Sequence, residues 1–216
     1  MNKQDTYEHL KTSIIDGSIA QGQWLIEREL CEQYSISRTP IREVLFRLES
    51  EGLVVQEPTK GFSVRKLTME QVVEIFQTRE ALEDMSVLLA CQKMTREVLD
   101  KLRRLRKQLD EVDVETQTAK HVKLGRTMHS IIRDVAGNSL LQELYVTVDN
   151  WTYLTVNLTV RSVKIEQQSQ KAHLAIIDAL LEQNSDLARE RMRGHLRETC
   201  SLVVSEYFVG YMTLPH

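Results

Sequence analysis

Proline is scarce in this chain: three in 216 residues, at positions 40, 58 and 215. From Thr68 to Leu214 nothing forbids long helices, and glycine is thin over the same stretch. Cysteine is scarce too. Cys31, Cys91 and Cys200 show neither paired nor metal-ligand spacing, so no disulfide framework is indicated. No apolar run is long enough for a transmembrane helix, and no signal-peptide pattern opens the chain. These absences predict a protein of the reducing cytoplasm, with no membrane contact. An excess of positive charge is also missing: 28 Lys and Arg against 31 Asp and Glu leave a net charge of −3. That argues against a non-specific nucleic-acid coat. The first 67 residues are not strongly basic either. What is present is ample apolar content, 42%, enough for a sizeable core in one or two domains.

The segment from Ser35 to Leu45 is the most informative. It opens a helix with Ser37 at the N-cap and Pro40 where a first turn tolerates it. Arg38 and Arg42 share one face, with Thr39 at its edge, while Ile41, Val44, Leu45 and Leu48 form the opposite stripe. Such a helix suits the DNA major groove, where Arg reads guanine or clamps phosphate. An ordinary solvated surface helix would carry the same two arginines, so the flanks decide. Thr6 to Gly17 reads as a first amphipathic helix with Tyr7, Leu10, Ile14 and Ile15 inward. Trp24-Leu25-Ile26 reads as a short strand, and Glu27 to Tyr34 as a second helix with Leu30 and Cys31 packing and Arg28 outward. Leu53 to Gln56 and Phe62 to Arg65, around a Pro58-Thr59-Lys60-Gly61 turn, read as a hairpin with Lys60 at its tip. This is the order of a winged helix-turn-helix.

Residues from about 5 to 66 resemble the DNA-binding domain of the GntR family of bacterial transcription regulators. The resemblance is carried by Asp16-Gly17-Ser18-Ile19, Gly22, Glu27-Arg28-Glu29-Leu30, Ser37 to Glu43, Leu48, Glu51-Gly52-Leu53 and Lys60 to Val64. It implies DNA contacts from Arg28, Ser37, Arg38, Thr39, Arg42, Lys60 and Gly61. For Arg28 the competing reading is an intrahelical pair with Glu27 or Glu32.

The remainder, 68–216, reads as six antiparallel helices, an all-α bundle. Their expected spans are Thr68 to Met94, Thr95 to Leu109, Thr116 to Val135, Ser139 to Leu158, Val163 to Glu182 and Asp186 to Val209. The run Lys101-Arg103-Arg104-Arg106-Lys107 alternates with leucines and reads as a solvated helix face. His129, His173 and His195 fall on three different helices, each beside core residues. They can converge on Zn²⁺ or Ni²⁺, or stand as three separate hydrogen-bonded histidines; spacing alone leaves both open.

This part of the chain resembles the FCD effector domain of the FadR branch. The carrying residues are Arg79 to Glu83, Met128-His129, Gly137 to Leu141, His173 to Ile177, Asp186-Leu187-Ala188 and His195-Leu196. The resemblance implies a divalent metal held by one Asp and three His, completing a pocket for a small carboxylate. Here the Asp position, four residues before His129, is Gly125, which cannot ligate. Three readings follow: the three histidines hold metal alone, they bind an anion directly, or the domain only dimerises. His121 lies two turns from His129, about 12 Å along the axis, too far along that helix to replace the missing ligand, and reads as surface. Arg79, by resemblance, and Arg161, as a carboxylate clamp, are the candidate effector-binding residues.

The fold expected is therefore mostly α, a winged helix-turn-helix over 1–67 and an all-α bundle over 68–216. The function expected is a ligand-responsive repressor that binds a palindromic double-stranded operator as a homodimer, its DNA affinity set by an organic-acid effector. Two alternatives stay open: a metalloenzyme using the three His, which lacks an evident general base, and a DNA-binding protein without ligand.

Overall fold

The computed structural model describes residues 2–159 and 162–209. They fall into two units, Met1–Thr68 with Asp149–Leu158, and Met69–Val148 with Thr159–His216.

In the first unit α1 (Lys3–Ile15) starts at Asn2, whose side chain accepts from the Asp5 N–H. It buries Tyr7, Leu10 and Ile14, while Ile15 is only half-buried. β1 (Trp24–Leu25) leads into α2 (Glu27–Tyr34) and α3 (Arg38–Ser50), followed by β2 (Val54–Glu57) and β3 (Gly61–Val64). The sheet order is β1-β3-β2, antiparallel throughout, with Phe62 opposite both Leu25 and Gln56. In α2 the buried pair is Leu30 and Tyr34, one turn apart; Cys31 is off that stripe and half-buried. Ser35 takes a left-handed backbone, φ 53°, which makes the turn into α3 tight. The α3 stripe Ile41, Val44, Leu45 and Leu48 is buried as its spacing predicts. Each such side chain contributes about 1.5–3 kcal/mol by leaving water. A polar clasp joins α1 to the end of α3: Tyr7 Oη donates to Glu51 at 2.6 Å and Lys11 Nζ at 2.7 Å. The Arg47 guanidinium caps it, 3.5 Å from the Tyr7 ring centre.

The second unit is built from α4 (Met69–Cys91), α5 (Arg96–Asp110), α6 (Thr118–Ala136), α7 (Ser139–Thr159), α8 (Val163–Leu181) and α9 (Ser185–Val204), ending in a π-helical turn at Ser205–Val209. The Asp149–Leu158 stretch of α7 belongs to the first unit. Thr95 caps α5, accepting from Val98 N–H. Asn138 and Asn184 cap α7 and α9, accepting from Leu141 and Leu187 N–H. An N-cap side chain must reach the amide three residues on, and in each case only the Asn stands at that offset. Gly137, at φ 57°, closes α6. Salt bridges join neighbours: Asp84 on α4 takes Arg189 and Arg193 of α9, and Arg106 of α5 meets Asp178 of α8. The basic run of α5 is a solvated face, with Lys101, Arg103 and Lys107 paired to Glu97, Asp100 and Glu111 over buried Leu102, Leu105 and Leu109. Among the described residues, no helix is long and apolar enough to cross a membrane.

Candidate functional site

The first unit leaves the expected DNA-contact side chains in solvent. Ser37, Arg38, Thr39 and Arg42 are all exposed on α3, because the apolar stripe behind them points the other way. Ser37 holds the N-cap backbone conformation, yet its side chain makes no capping bond. Its hydroxyl therefore stays open to an outside partner. Arg28 projects from α2, and its 3.5 Å pair with Glu32 leaves both side chains about two-thirds exposed. So open a pair contributes little. Arg42 Nε lies 3.4 Å from Glu27 Oε1. At the wing tip Thr59 and Gly61 take positive φ, 68° and 101°, and between them Lys60 is exposed, 3.2 Å from Glu57.

The second unit holds a buried cluster of imidazoles. His129 comes from α6, His173 from α8 and His195 from α9, and all three are buried. One ligand nitrogen from each lies within 4.8 Å of the others. Ring centres are 5.5 Å apart for His129–His173, 4.6 Å for His173–His195 and 5.8 Å for His129–His195. Burial, together with the other histidines and Arg79, holds His173 and His195 neutral, well below the usual imidazole range. Neutral imidazole is the form that ligates a metal.

Carboxylates stand behind this cluster. Glu83 of α4 is 2% exposed, and its Oε1 lies 3.0 Å from His129 Nδ1, within ion-pair range though poorly aligned for a hydrogen bond. Burial pushes the Glu83 carboxyl up, but His129, Arg79 and Arg133 outweigh it and hold it below its ordinary value. Arg79, the expected effector clamp, faces Glu83 at 3.9 Å and lies 5.6 Å from the Phe76 ring. Arg161, the other expected clamp, lies outside the described residues.

Gly125 has a structural reason. A Cβ at that position would stand 2.5 Å from His173 Cε1 and 3.0 Å from its Nδ1. The imidazole of His173 thus occupies the space a side chain at 125 would need. His121 corrects the sequence reading. It is not a surface residue but 1% exposed, with Nδ1 2.7 Å from Glu166 Oε2 of α8. Its ring centre is 5.8 Å from that of His173. The signal was available: His121, Gly125 and His129 form one helical stripe, and Glu166 precedes His173 by two turns on α8. Weighing His121 only against His129, along their own helix, hid its approach to α8.

The donor set, three buried imidazoles with at least one carboxylate behind them, fits a divalent transition-metal ion. His129, His173 and His195 would hold it. Zinc or nickel there would supply an open coordination position that attracts a carboxylate.

Comparison with known proteins agrees with both halves. Residues 2–64 match the family described as bacterial regulatory proteins, gntR family, and residues 74–198 match the FCD domain. A transcriptional regulator of Bacillus subtilis (strain 168), YdhC, is 27% identical over 198 residues, covering 90% of this chain and 87% of its own. The transcriptional repressor RspR of Escherichia coli (strain K12) is 27% identical over 199 residues, covering 90% and 86%. Among solved structures, E. coli McbR/YncC superposes with a TM-score of 0.79 at 21% identity, over 95% of this chain and 98% of that one. At such identity the likeness is one of fold. These relatives are regulators and not enzymes, so the metalloenzyme reading is set aside.

Proposed function

The chain belongs to the GntR family of bacterial regulatory proteins, with an FCD domain following in sequence, and we propose that it is a cytoplasmic homodimeric repressor of a palindromic operator. It is a transcription regulator with an effector domain. In the proposed complex α3 enters the major groove of each half-site, with Arg38 and Arg42 on base edges or phosphates and Ser37 and Thr39 beside them. Arg28, Lys60 and Gly61 then contact the flanking backbone.

The effector proposed is a small carboxylate, bound through a divalent metal on His129, His173 and His195, with Arg79 and Arg161 as further anion contacts. What carries this is the convergence of three buried imidazoles from three helices. Such an effector changes operator affinity only by its differential affinity for the two arrangements of the dimer.

Two measurements test the reading. DNA fragments selected by the protein from a genomic library are titrated by fluorescence anisotropy at moderate salt, with Arg38→Ala/Arg42→Ala as control. Failure to enrich any sequence would sink the operator reading. Elemental analysis of untagged protein is set beside His129→Ala. Absence of zinc and nickel, even after reconstitution, would remove the metal.

A further inference from the structure

We infer that His121, held by Glu166, is a fourth nitrogen donor of the metal pocket. The inference rests on the three-histidine metal reading above and adds to it a residue outside that set. His121 is 1% exposed and Glu166 4%. A carboxylate only accepts, so the 2.7 Å contact places a proton on His121 Nδ1, donated to Glu166 Oε2. With Nδ1 engaged by Glu166, Nε2 is the ring atom left to ligate. That atom is buried and, among the described residues, has no hydrogen-bond partner. A buried polar atom left unpaired costs about 1–3 kcal/mol, so a partner for it is strongly favoured.

The neighbours say which kind. His121 and His129 stand on one face of α6, each with its Nδ1 toward a buried glutamate, Glu166 and Glu83 respectively. A carboxylate on the far nitrogen is how metal-ligating histidines are oriented and made more basic. The 5.8 Å between the His121 and His173 ring centres equals that between His129 and His195, which both belong to the set. The His173 ring, which belongs to the set, lies over Gly125, midway between His121 and His129 on α6. The set within 4.8 Å comprises the other three histidines, so the inference includes an approach of His121 to the bound ion. It also supplies what Gly125 withholds, a further ligand from α6.

The test uses the full-length chain, stripped with chelator and titrated calorimetrically with Zn²⁺ alone. One equivalent is expected to bind the unaltered protein, with His121→Phe about ten- to a hundredfold weaker and Glu166→Gln about tenfold weaker. X-ray absorption at the zinc edge of the unaltered protein is expected to count four imidazoles, a measurement that needs no variant to fold. A count of three, with His121→Phe binding as tightly as the parent, overturns this inference alone, provided His129→Ala abolishes binding. No zinc uptake by the unaltered protein overturns the three-histidine reading and this inference with it.

Discussion

The imidazole of His173 lies over the bare Cα of Gly125, so close that a Cβ would stand 2.5 Å from Cε1. One residue's missing side chain is the other's seat. An aspartate at 125 would clash through its Cβ before its carboxylate reached anything.

Gly125→Ala therefore sets two effects against each other. Helix propensity favours Ala by about 1 kcal/mol. Turning the His173 ring off its rotamer costs about 0.5–1.5 kcal/mol, and packing is lost as well. The melting temperature should change little, while zinc affinity falls at least tenfold. A calorimetric titration showing unchanged affinity would mean the ring position has no bearing on the ligand.

On the DNA side the arginines and the wing lysine should separate by type of defect. Arg38→Ala is expected to cost about 1–3 kcal/mol of operator binding and to relax preference at one base position. Lys60→Ala should weaken all sequences alike and lower the salt slope by about one. Anisotropy titrations at several salt concentrations check both; a Lys60 variant that changes sequence preference would contradict this division.

Acid should loosen the helical unit in two stages. His173 and His195 are held neutral in the fold, whereas the unfolded chain protonates them below about 6.5. Unfolding then takes up protons, so stability is full above pH 6.5 and falls as pH drops below it. The Glu83 carboxyl is held low in the fold, and its contribution is lost lower still, once pH passes below the ordinary carboxylate value. Thermal melts with chelator present at pH 7.5, 6 and 5 should show the first loss. His173→Gln/His195→Gln should flatten it, and an unchanged slope would refute the assignment.

Glu51→Gln should destabilise the first unit by about 1–2 kcal/mol, since it removes the charge that accepts from Lys11 and Tyr7. Burial raises the Glu51 carboxyl, but Lys11, Tyr7 and Arg47 outweigh that and hold it low. Urea unfolding followed by Tyr and Trp fluorescence would read the change; a shift under a few tenths would show that the clasp is ornamental.

The winged helix was legible because each of its cues is local. Spacing placed Ile41, Val44, Leu45 and Leu48 inward, and the Pro58–Gly61 turn marked the hairpin. The helix order of the second unit was legible for the same reason, from caps and apolar periodicity. The pocket was half legible. Periodicity marks His129, His173 and His195 as inward on their own helices, but says nothing of how α6 is rotated against α8. That rotation buries His121 against Glu166 and lays His173 on Gly125. α7 and α9 are capped by Asn138 and Asn184, each three residues before the amide it accepts from.

Arg28, Arg42 and Lys60 each rest against a carboxylate, of Glu32, Glu27 and Glu57. The protein thereby carries its own competitor for DNA. In the proposed complex every backbone contact of these side chains would be an exchange of partners, acid for phosphate, with a net electrostatic gain smaller than the count of cations suggests. Random duplex offers only that exchange and is released quickly. In the proposed complex, a dwell long enough to block a polymerase would then require base contacts from Arg38 and Arg42, confining hesitation along the genome to the places where it is useful.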